Sequence, residues 1–195
     1  MKRNKIIGII FILMGISIPL TMHLFKIKES INDKQKVISF IEKTSVREEE
    51  KANLIEETDN KYMAVLEIPK ISLKRGLLDL DDEFNDISYN VMVLGNSKMP
   101  DEENSNLILA AHNGNSDVSF FKDLEKLGKG DIVNIYYNGY RYEYRIDNYY
   151  EVEKTGKVNI HRDKTQNTIT LITCKNNTTD KQIVYIGYLT DKEIY

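Results

Sequence analysis

The stretch YRYEYRID at residues 140–147 alternates without a break. Tyr140, Tyr142, Tyr144 and Ile146 fall on one side, and Arg141, Glu143, Arg145 and Asp147 on the other. A period of two is the mark of a strand with one buried and one solvated face. Asn138-Gly139 sits between this run and IVNIYYN (132–138), and the Asn-Gly pair is a strong hairpin signal. Further β-type runs are MAVLEIP (63–69), KISLKRGLL (70–78), VMVLG (91–95), LILAAH (107–112), TITLITC (168–174) and IVYIGYL (183–189), about eight strands in all. One helical pattern interrupts them. In SFFKDLEKLGKGD, Phe120, Phe121, Leu124 and Leu127 stand at i, i+1, i+4 and i+7, with Gly128 just beyond as a stop. Many short strands with few helices predict an all-β, mainly antiparallel barrel of eight strands with one or two short helices. A chain of 195 residues has room for one such domain.

The amino terminus reads differently. Residues 6–25 contain no Lys, Arg, Asp or Glu and are apolar all round, without the polar stripe of a core helix. About 20 apolar residues at 1.5 Å each cross a hydrocarbon core of roughly 30 Å. Lys2, Arg3 and Lys5 precede the run, so both an uncleaved anchor and a secretory signal fit. No A-x-A-like cleavage site follows it, which favours the anchor. Either way the basic flank stays inside and the domain is exported. The expected organisation is a membrane anchor at 1–28, a polar helical stalk at 29–61 and the barrel at 62–195, on the outer side of the cell membrane. Within the stalk, Val37, Ile38 and Ile41 make one short helical stripe, and REEEKANLIEE (47–57) favours helix by composition. Its expected role is to hold the barrel off the membrane.

Charge excludes one class of partner. The five cations of the first 28 residues have no carboxylate among them, and the remaining 22 basic and 30 acidic groups leave the rest near −8. A domain that acidic repels phosphate backbones, so nucleic acid is not an expected partner. The single Cys excludes a disulfide framework, and the scattered His23, His112 and His161 argue against a metal centre. DLDDEFND (79–86) and DEEN (101–104) supply carboxylates but match no EF-hand loop, so calcium activation has no supporting motif and no cofactor is expected.

Cys174 ends one β run and opens a polar loop, and His112, 62 positions upstream, ends another in the same way. Adjacent strands that end at the same rim would bring thiol and imidazole together. That pair is the minimum for acyl transfer: a thiolate attacks a carbonyl and an imidazolium protonates the leaving amine. Without such a neighbour, a lone Cys serves as a small buried hydrophobe.

TLITC (170–174), with AAHNG (110–114) some sixty residues upstream, resembles the sortase family of membrane-anchored cysteine transpeptidases of Gram-positive bacteria. LEIPKI (66–71) is similar to that family's first strand, FFKDLEKLGKGD to the segment after its His loop, and IVYIGYL to its last strand. The resemblance implies an eight-stranded barrel whose Cys cleaves a Thr–Gly bond in an LPxTG-like signal on a secreted protein. The thioacyl intermediate then passes to an amine of the cell wall. It implies Cys174 as nucleophile and His112 as general acid/base. It also implies a cell-wall-anchoring rather than pilin-polymerising type, since the chain ends in TDKEIY and has no Asp-Pro-aromatic plug between residues 29 and 62.

The third member of the family's site does not carry over. Sortases place an Arg at the start of the last strand, where this chain has DKQIVYIGYL, and no Arg follows Arg162. Lys181 is the first expectation for that role, then Gln182, then Arg162 from the loop before the Cys strand. Lys keeps the charge without the bidentate fork, and Gln keeps a donor without the charge. The missing Arg leaves one alternative, a membrane-tethered binding barrel that is catalytically weak or inactive. A cysteine peptidase that only hydrolyses is a further one, since it shares the first half of the mechanism.

Overall fold

A computed structural model describes residues 2–44 and 62–195, with the side chains of all of these except 2–14 and 16. Helix α1 (Lys2–Thr44) is followed by strands β1 (Tyr62–Ile68), β2 (Leu73–Leu78), β3 (Met92–Val93) and β4 (Asn106–Ala110). Then come β5 (Ile132–Tyr137), β6 (Tyr140–Glu153), β7 (Thr168–Cys174) and β8 (Lys181–Ile194). All eight expected strands are present. They form one sheet in the order β2-β1-β5-β6-β8-β7-β4-β3, antiparallel throughout except for the parallel pair β4–β7. The β5–β6 hairpin turns on Asn138 and Gly139, both at positive φ (49° and 77°), as a two-residue primed turn requires.

The sheet curls until its edges β2 and β3 face each other, and side chains bridge the seam. The Asn90 amide donates to the Gly76 carbonyl at 2.9 Å and accepts from Arg75 Nε at 2.6 Å. Asn85 clamps β3, donating to the Val93 carbonyl (3.0 Å) and accepting from its N–H (2.8 Å). Both edges thereby lose the unpaired row that invites association.

Inside, Tyr142, Tyr144 and Ile146 are buried as their alternation requires, with Leu66, Leu107, Ile135, Leu171 and Tyr185 around them. β6 runs past residue 147, where the alternating motif ends. A bulge between Ile146 and Asn148 puts two residues of β6 against one step of β8. An extra residue reverses in and out. Beyond it Tyr149 stacks on the core residue Tyr185, while Tyr150 and Val152 join a second, outer cluster of Ile108, Ile172, Val184 and Ile186.

Two expectations need correction. The segment after the His112 loop holds no α-helix, only turns and one 3₁₀ turn, Leu124–Lys126. The residues that reach the core are Phe121, Leu124 and Leu127, spaced by three, and the Leu124 and Leu127 N–H groups bond three residues back at 3.0 Å. A period of 3.0 is the 3₁₀ period.

The second concerns the stalk, which is not a free spacer. α1 runs unbroken through the expected boundary at residue 28, and Val37 and Phe40 are buried on Val65 of β1, with Ile41, Tyr62 and Tyr136 alongside. Ile38, assigned to the apolar stripe, is 53% exposed, and Phe40 takes the buried place. Burying these two side chains is worth roughly 2–3 kcal/mol each. The helix expected at 47–57 lies outside the described residues. Among the described residues no helix is long and apolar enough to cross a membrane, and ten of the twenty residues of the 6–25 run have no described side chain.

Candidate active site

β4 and β7 lie parallel with Ala110 level with Ile172, so two residues further on His112 comes level with Cys174. The ladder continues past the end of β4 through Ala111 N–H to the Ile172 carbonyl (3.3 Å), and the Thr173 hydroxyl donates to the Ala111 carbonyl at 2.8 Å. Neighbouring strands are about 4.8 Å apart, and residues two apart share a face. His112 and Cys174 therefore stand side by side on the face of Ile108, Ala110 and Ile172, which is the outer face.

The row extends over β8 and β6. Cys174 pairs directly with Gln182, and Gln182 with Val152. Partners across an antiparallel ladder point the same way, so Val152, Gln182, Cys174 and His112 form one line at the rim. Among the described residues the His112 ring, the Cys174 thiol and the Gln182 amide make no hydrogen bond, and all three residues are half-buried. Below them lies an apolar floor of Ile108, Ile172, Val184 and Ile186. Leu94, Val158 and Ile160 border it. The β6–β7 loop is held over this floor by Tyr150, whose hydroxyl donates to the Asn159 carbonyl and accepts the His161 N–H, both at 2.9 Å.

The polar loop after Cys174 is fastened to its surroundings. Lys175 N–H donates to the Lys181 carbonyl at 3.0 Å, and Asn176 N–H donates to the Glu125 carboxylate at 2.5 Å. The Asn113 amide donates to the Cys174 carbonyl at 2.9 Å. On the opposite face of β8, Lys181 lies 3.5 Å from Glu151, which also pairs with Lys175. These cations, Lys175 first, hold the Glu151 carboxyl below the usual carboxylate range.

Residues 66–189 match the family model of the sortase domain. The chain belongs to the sortase family. Sortase A of Bacillus anthracis is 34% identical over 109 residues, which is 56% of this chain and only half the length of that relative. The fold matches a Clostridium perfringens sortase D5 transpeptidase with a TM-score of 0.62 at 23% identity, over 82% of this chain and 98% of that one. It also matches Listeria monocytogenes sortase A with a TM-score of 0.58 at 21% identity, over 69% and 91% of the two chains.

Of the three candidates for the vacant sortase Arg, only Gln182 stands in the row. Lys181, expected first, faces away and is engaged with Glu151. Arg162 belongs to the other end of β7. Its guanidinium donates to the carbonyls of Gln166 (3.1 Å) and Asn104 (3.2 Å) and to the Thr168 hydroxyl (3.3 Å). Six residue steps along the strand separate Thr168 from Cys174, about 20 Å. In this sortase, then, Arg162 fastens the start of β7 to the loop before β4. Asn113 and Glu125, which hold the Cys174 carbonyl and the loop beyond it, were not singled out in the sequence. Asn113 was findable as the neighbour of His112, whereas nothing local marks Glu125. Among the described residues no group of three or more His, Cys, Asp or Glu is placed to hold a metal ion.

Proposed function

We propose that this sortase is a membrane-tethered cysteine transpeptidase that cleaves an LPxTG-like sorting signal and transfers the new C-terminus to a cell-wall amine. The observation that supports it most is the row itself: thiol, imidazole and amide stand side by side, half-buried and without hydrogen-bond partners among the described residues, at the rim of an apolar floor.

An extended peptide with apolar residues lies along that floor, its scissile carbonyl over Cys174. The Cys174 thiolate adds to the carbonyl carbon, and the oxyanion takes a hydrogen bond from the Gln182 amide. The C–N bond then breaks, His112 gives its proton to the leaving amine, and a thioester is left on Cys174. An incoming amine attacks the thioester, passes its proton to His112, and expels the thiolate. The Lys175 and Asn176 N–H groups are committed elsewhere, which leaves a larger share of oxyanion stabilisation to Gln182.

The tether reading rests on the charge-free run at 6–25, flanked by Lys2, Arg3, Lys5, Lys26 and Lys28, and on the exposed Ile18, Leu20, Met22, Leu24 and Phe25. On this reading the chain sits in the cell membrane with the barrel outside. Extraction from membranes only by detergent is the expected behaviour. A mature soluble form starting near residue 27 would show a cleaved signal instead.

The test of the chemistry is mass spectrometry of the protein with a panel of LPxTG-like peptides, with and without added amine. A thioester adduct of +acyl mass on Cys174, converted to ligated peptide by amine, is expected. Adduct resolved only to acid would make this chain a hydrolase, and no adduct with any peptide would support a non-catalytic barrel.

A further inference from the structure

The loop that carries His112 is closed at its far end by Phe121, whose N–H donates to the His112 carbonyl at 3.1 Å and whose ring is fully buried. Its neighbour Phe120 lies under a cation: the Arg75 guanidinium carbon is 4.4 Å from the ring centroid. The same guanidinium donates to Asp33 of α1 at 2.5 Å and to Asn90 of the barrel seam at 2.6 Å. Arg75 and Asp33 are each only 21% exposed, and Asp33 also accepts the Tyr62 hydroxyl. One planar group thus touches the helix, the seam and the closing turn of the His112 loop.

The space around it is not filled. A cleft of about 1220 Å³ separates α1 from β2 and the loop, with Arg75, Asp33, Leu73 and Phe120 among its walls. The other tie from α1 to this loop, Lys26 to Asp117 at 2.5 Å, joins two exposed groups and is screened by water. Phe120 thus packs on the barrel core on one side and meets the Arg75 guanidinium on the other, where the cleft leaves little else against it.

We propose that Arg75, through Phe120, is a positioning residue for His112, and that α1 acts on the site through Asp33. This rests on the reading of Cys174 and His112 as a reactive pair. A planar guanidinium serves here in a way an ammonium does not, since it stacks on the ring while donating in its own plane.

The experiment uses the full chain in detergent and the alkylation of its single thiol by iodoacetamide at neutral pH, which needs no substrate. The first comparison is wild type with His112→Ala. A faster wild type establishes the Cys–His coupling, and equal rates would overturn that reading and this inference with it. Given the coupling, Arg75→Lys and Phe120→Leu are each expected to cut the His112-dependent rate about fivefold. With an LPxTG-like peptide they should lower kcat and leave KM within about twofold. Asp33→Asn should do the same to a smaller extent. If Arg75→Lys restores the wild-type rate, Arg75 only pairs with Asp33 and does not position the loop. If Phe120→Leu also reacts at the wild-type rate, the stack plays no part. Thermal melts of both conservative variants, expected to stay near wild type, keep loss of fold apart from loss of position.

Discussion

Replacing Gln182 by Ala tests the oxyanion assignment directly. Gln182 is half-buried, faces the same side as Cys174 across the β7–β8 ladder, and has no competing partner among the described residues. Removing one oxyanion donor typically costs ~2.7–4 kcal/mol in water-excluded sites. A neutral amide at an open rim belongs below that range, at about 2 kcal/mol, or roughly 30-fold in kcat/KM. Gln182→Arg restores a charged fork at the same place and is expected to raise kcat/KM about tenfold. Lys181→Ala should stay within about threefold, because Lys181 is turned to Glu151. The assay is cleavage of a fluorogenic LPxTG-like peptide with amine in excess. Wild-type activity in Gln182→Ala would remove the amide from the mechanism. A tenfold loss in Lys181→Ala would show that the register argument fails.

Cys174→Ala is expected to abolish the covalent adduct, since no second thiol exists in the chain; intact-mass analysis checks it. His112→Ala should keep the fold by circular dichroism and lose about 10²-fold or more in rate. Asn90→Ala opens the β2–β3 seam, removing two hydrogen bonds, and should cost about 2 kcal/mol in urea unfolding. Asp163 is held down to about 2 by the Thr165 hydroxyl and N–H and by Gln166, from an ordinary 3.8. Its folded-state pKa is depressed, so its contribution is present above pH ~4 and is lost as the pH falls toward 2. Asp163→Asn should therefore show a smaller drop in melting temperature than wild type between pH 4 and 2.

Local pattern carried much of this molecule. The alternation of Tyr140, Tyr142, Tyr144 and Ile146 needs no partner to read, because a half-buried strand sorts its own side chains by a period of two. The Asn138-Gly139 turn is equally local, since both positions require positive φ. Cys174 and His112 were legible as two strand ends opening polar loops, and the family motifs around them named the pair. What their neighbours do was not legible. Lys181 and Gln182 are adjacent on one strand, and only the pairing of Cys174 with Gln182 decides which faces the thiol. Pairing depends on register, and one bulge near residue 147 reverses every later side chain of β6. Arg162 carried the right charge, but its place at the far end of β7 follows from strand length and direction. The segment from Phe120 to Leu127 fitted an α-helix by the spacing of its apolar residues and the Gly128 stop. The His112 loop closing on Phe121 and the three-residue spacing of the buried side chains made it 3₁₀. The polar stalk concealed a docking face in Val37 and Phe40, which have meaning only once Val65 lies opposite them. Periodicity and turn chemistry act over a few residues and are written in the chain. Register, the facing of a lone side chain and the docking of α1 depend on contacts made across tens of residues, which only the folded barrel supplies.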